Sequence, residues 1–156
     1  MAPSAFAGKV QTVLGTIPPE NVGPTTTHEH LLIDFTCMFN PPAEASEKQY
    51  AYQPVSMSNL GKVRYDPFSN YDNLLLSNED AAISEMMLYK KAGGGTVIEA
   101  TTIGIGRDPS GLARIARATG INIVTGAGYY VGITHPKEMN NKTESEITQQ
   151  IVQEIT

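Results

Sequence analysis

The chain has 156 residues, 40% of them hydrophobic, and a formal net charge of −5. That length and apolar fraction suit one globular domain with a core and disfavour wholesale disorder. With 11 basic against 16 acidic residues and no basic cluster, a phosphate-backbone binder is disfavoured, so no nucleic-acid partner is expected.

Lys9 to Leu14 alternates in the manner of a strand, and Gly15 stops it. The turn-rich stretch from Thr16 to Pro24 cannot be helical. Thr25 to Phe35 is rich in β-formers, ends in an apolar run and reads as one buried strand. Residues 40 to 73 contain four prolines and several tyrosines and read as irregular: a functional loop or a surface insertion. From Asn78 to Ala92 the period becomes helical, with Ser77 or Asn78 as cap and Gly93 to Gly95 as stop. Thr96 to Thr102 is the next strand. Asp108-Pro109 caps a helix that Gly120 closes, and Ile121 to Thr125 is a third strand. After a loop over Gly126 to Pro136, Thr143 and Glu146 form a capping box for a last helix, which carries no stop signal and is either an ordinary C-terminal helix or one cut mid-element. Strands alternating with helices imply an α/β fold with a parallel sheet.

His28-Glu29-His30 is the sharpest chemical feature. Strand alternation puts the two histidines on one face, with Cα atoms about 6.5–7 Å apart. Two imidazoles can converge from that spacing on one metal ion, whereas Glu29 points the other way. The plain alternative is two half-exposed histidines on one strand. Glu99 sits among Val97, Ile98 and Ala100 in the second strand, where a carboxylate needs a partner. It is either a site residue, or a group whose head reaches the end of the sheet or pairs with a nearby cation such as Arg107. Tyr129 and Tyr130 follow the third strand and are candidates for a pocket wall, with packing as their default role. His135, in the same loop, reads as solvated. Gly104 and Gly106, and then Gly126 and Gly128, lack the third glycine of a dinucleotide-binding loop and read as tight turns. Cys37 has no base beside it in sequence and is not expected to be a nucleophile. A single cysteine also excludes an intrachain disulfide framework.

The stretches GTIPPENVGPTTTHEHLLIDF and VIEATTIGIGRDPSGLARIARATGINIVTGAGYY resemble the N-terminal part of the phosphotriesterase-related proteins, in the metal-dependent amidohydrolase superfamily. The resemblance runs from about Lys9 onward. It implies the N-terminal part of a TIM (β/α)8 barrel: about three βα units behind a short β arm, with residues 1–156 as an incomplete barrel and an irregular insertion at about 40–73. A complete barrel typically needs about 250 residues. By the same resemblance, His28 and His30 match the HxH pair that ends the first barrel strand and holds a divalent metal, zinc by expectation, one of two per subunit. The bridging carboxylate, two further histidines and an Asp base of the family would come from later strands. No catalytic residue is then expected within these 156, and Glu99, Tyr129 and Tyr130 are left as substrate-pocket candidates. The implied activity is hydrolysis of small N-acyl amides such as N-acetyltaurine by a metal-activated water. The alternatives are a truncated product that is inactive alone, a phosphotriester or lactone hydrolase, and, remotely, a small nucleotide-binding α/β module. The N-terminus lacks a charged n-region and no stretch approaches a membrane span, so a cytosolic protein with no membrane partner is expected.

Overall fold

The computed structural model describes residues 7–155. These fall into two compact units: one is built from the residues up to Leu32 and those from Asn78 onward, the other is Ile33–Ser77.

The larger unit opens with an antiparallel hairpin of β1 (Val10–Thr12) and β2 (Gly15–Ile17). Gly15 therefore starts a strand rather than only ending one. The Thr12 hydroxyl closes the hairpin by donating to the Gly15 carbonyl at 2.7 Å. The main sheet is parallel, in the order β3 (Thr25–Glu29), β6 (Thr96–Glu99), β7 (Asn122–Thr125). The expected alternation of strand and helix is thus realised. The central strand β6 has Thr96, Val97 and Glu99 buried, as a strand paired on both sides should.

The single buried strand expected over Thr25 to Phe35 is not formed. β3 ends at Glu29 after a register shift between Thr26 and Glu29, and Thr27 to Glu29 are exposed. β3 is an edge strand of this sheet, so only one side of it is paired. Leu31 and Leu32 leave strand geometry and turn into the core instead.

Two helices pack on the sheet. In α3 (Glu79–Lys91), the Asn78 side chain accepts the Ala81 N–H at 3.0 Å. In α4 (Pro109–Thr119), the Asp108 side chain accepts the Gly111 N–H at 2.9 Å, and Gly120 closes the helix at φ +68°. The sequence places Leu112, Ile115, Ala116 and Thr119 at helical spacing on one face of α4, and all four are buried. With Leu31, Leu32, Val97, Ile121 and Ile123 the apolar residues among them form the core. Lys90 at the end of α3 donates to the Thr119 carbonyl at 2.6 Å, satisfying an orphan group at the end of α4. Arg114 grips Glu79 through two hydrogen bonds of 2.5 and 2.9 Å. The last helix, α5 (Glu144–Glu154), has the expected capping box between Thr143 and Glu146.

The unit Ile33–Ser77 corrects the irregular reading of residues 40 to 73. It contains α1 (Ala45–Ala51), α2 (Leu60–Tyr65) and the short antiparallel pair β4 (Ile33–Asp34) and β5 (Leu75–Leu76). Ala51, Val63 and Leu74 are buried, and the Phe39 ring lies 5.5 Å from Tyr52 and 5.4 Å from Tyr71. Asn70 is fully buried: its amide donates to the Tyr50 and Gln53 carbonyls, and its side-chain oxygen accepts the Asn73 N–H. Short helices of 7 and 6 residues have too little periodicity to be seen, and side-chain bonds such as those of Asn70 replace regular pairing.

Candidate metal centre

β3 delivers His28 from within the strand and His30 from one residue past its end. The ring centroids are 5.5 Å apart and the ring planes meet at 80°. His28 is exposed and His30 half-buried. The strand ends between them, and the two rings meet edge to face. Glu29 does not join them: it accepts the Thr26 hydroxyl at 2.6 Å. Among the described residues, no three His, Cys, Asp or Glu side chains cluster closely enough to hold a metal ion. The pair therefore supplies two nitrogen donors, a chemistry that suits zinc, but not the three protein ligands of a catalytic zinc site.

Behind His30 lies a buried polar network. The Nδ1 atom of His30 is 2.9 Å from the Thr101 hydroxyl oxygen. Thr101 is fully buried, and its hydroxyl also meets the Leu32 carbonyl at 3.1 Å and the Glu99 carboxylate. Glu99, also fully buried, accepts the Leu31 N–H at 3.3 Å and the Thr101 N–H at 3.1 Å. Glu99 is thus a supporting group beneath the histidine and does not line an open pocket. Local donors satisfy it, and of the alternatives to a site role, pairing with Arg107 does not form.

Arg107 turns instead to the loop after β7. It donates to the Gly126 carbonyl at 3.0 Å and pairs with Glu154 at 2.8 Å. Glu154 also accepts the Gly128 N–H at 3.1 Å and the Gln150 amide at 2.9 Å. Burial pushes the Glu154 carboxyl up, but the bonds from Arg107, Gln150 and Gly128, with the Arg107 charge, outweigh it and hold the group at about 2. The clamp fixes the start of the loop that carries Tyr129 and Tyr130. Tyr129 is half-buried; its hydroxyl donates to Gln150 at 2.9 Å, and its ring packs on His135 at 5.8 Å. His135 is accordingly not merely solvated. Tyr130 is 50% exposed, and its carbonyl lies 3.2 Å from His135 Nε2.

The paired glycines make tight turns, as expected. Gly106 has φ +86°, and a Cβ on Gly104 would collide with the Thr134 carbonyl. Sequence reasoning missed Thr101 and Glu154. The one available signal for Thr101 was its place two residues after Glu99, on the same face of an extended segment.

The fold is thus a parallel α/β sheet that carries the His28–His30 pair at the end of its first strand. Residues 8–156 match the model of the phosphotriesterase family, and the chain belongs to that family. It is 46% identical to the N-acetyltaurine hydrolase of Xenopus tropicalis over 153 residues, which is 97% of this chain and 44% of the relative. A resiniferatoxin-binding protein from Rhodobacter sphaeroides superposes with a TM-score of 0.92 at 39% identity, over 95% of this chain and 41% of that one. The phosphotriesterase homology protein from Escherichia coli, whose crystal structure holds phosphate in its active site, gives a TM-score of 0.60 at 26% identity, over 86% and 36%. The chain thus spans less than half the length of these relatives.

Proposed function

We propose that this chain is the HxH-bearing part of a metal-dependent hydrolase of N-acyl amides, with N-acetyltaurine as the model substrate. The observation that carries the reading is the His28–His30 pair, whose rings lie 5.5 Å apart at the end of β3. The 46% identity to an N-acetyltaurine hydrolase supports the substrate class. His28 and His30 would hold a divalent metal, zinc in this reading and one of two in the whole protein. When bound, the metal lowers the pKa of water and polarises the scissile carbonyl. The β3-β6-β7 sheet is read as part of the wall of a TIM barrel, with the remaining metal ligands on further strands. A small molecule is the proposed substrate and the cytosol the proposed location. Among the described residues no helix is long and apolar enough to cross a membrane.

The test is metal analysis and N-acetyltaurine turnover of the full-length protein, compared with His28→Ala/His30→Ala. Zinc content should fall by at least one equivalent and turnover should vanish. Full metal occupancy with turnover intact in the double variant would overturn the reading. The absence of a third neighbouring ligand among the described residues favours a second statement: residues 1–156 alone should show negligible hydrolysis. Robust metal-dependent turnover by that chain would refute it.

A further inference from the structure

We infer that Thr101, backed by Glu99, is a positioning residue that locks His30 in the Nδ1–H tautomer and so presents Nε2 to the metal. The inference rests on the metal reading above and deepens it. A threonine hydroxyl has one hydrogen and two lone pairs. Two oxygens, of the Glu99 carboxylate and the Leu32 carbonyl, face the Thr101 hydroxyl as acceptors of its hydrogen. The single hydrogen is therefore committed to an oxygen, whichever of the two takes it. What the hydroxyl offers His30 at 2.9 Å is a lone pair, so Nδ1 must be the donor. In a neutral imidazole that leaves Nε2 unprotonated, the form a metal requires.

Glu99 secures this arrangement twice. Its oxygen accepts the Thr101 hydroxyl hydrogen, which keeps that hydrogen from turning towards His30. It also accepts the Leu31 N–H and so pins the backbone immediately after His30. The network lies in the interior, since Glu99 and Thr101 are both fully buried. Water therefore does not compete for the Thr101 oxygen.

The test uses the full-length protein and two readouts. The first is the 15N spectrum of the His30 ring in the metal-free protein, which reports the tautomer without reference to activity. The second is zinc affinity by chelator competition. Thr101→Val keeps the shape and removes the hydroxyl; Thr101→Ser restores it; Thr101→Ala serves if the valine variant misfolds. The wild type and Thr101→Ser should show the Nδ1–H tautomer. Thr101→Val should show a mixture and bind zinc about 10–100-fold more weakly, as expected for loss of a group behind a ligating histidine. An unchanged tautomer, or zinc affinity within twofold of wild type, in the valine variant would overturn the inference. If the wild type bound no zinc, the metal reading would fall. The positioning of His30 would then stand or fall on the tautomer alone.

Discussion

Glu154 offers a test in which the sign and the pH window are both set by the structure. Its side chain is 13% exposed, and Arg107, Gln150 and the Gly128 N–H hold its carboxyl at about 2, against 4.5 for the free group. A carboxyl with a depressed pKa stabilises the fold above the unfolded value, and that contribution is lost as pH falls towards the folded value. Glu154→Gln removes the titration but leaves a carbonyl to accept from Arg107. A drop of this size corresponds to at most ~3.5 kcal/mol, and solvent screening near the end of α5 reduces the expectation to ~1–2 kcal/mol. The assay is urea unfolding of wild type and Glu154→Gln at intervals from pH 7 to pH 2.5. The stability gap should be constant above about pH 5 and should narrow progressively from about pH 4.5 downwards. Groups common to both proteins cancel in the difference. A gap that stays constant to pH 3, or widens on acidification, would refute the assignment of Glu154 as the anion of the Arg107 clamp.

Two further outcomes follow from the packing. Ile115 is fully buried in the core beneath α4, so Ile115→Ala should cost about 2–5 kcal/mol in urea unfolding; a loss below about 1 kcal/mol would contradict that placement. Gly104→Ala puts a methyl group against the Thr134 carbonyl, so the turn after β6 must shift, at a cost of about 1–3 kcal/mol; an unchanged melting temperature would show that the two loops are not in contact.

The elements that were legible in the sequence are those whose causes are local. Asn78, Asp108 and Thr143 each cap a helix by bonding three residues ahead, and the spacing can be read without knowing the fold. The HxH pair was legible for the same reason: strand alternation acts over two residues. Strand β3 was misread because its length depends on a neighbour. Pairing with β6 ends at Glu29, whereas the apolar run continues to Leu32 and turns into the core. The helices within Ile33–Ser77 were missed because they are short and held by contacts such as those of Asn70.

From the sequence alone came the α/β alternation, the helix caps and the two metal-donor candidates His28 and His30, each governed by neighbours a few residues away. Tertiary structure alone decided which group supports His30 and which cation Glu154 meets. Thr101 lies 71 residues from His30, and Arg107 lies 47 from Glu154. Over such separations a polar side chain has many chemically equivalent partners, and only the packed sheet selects one. That selection moved Glu99 from a pocket wall to the buried support of a histidine.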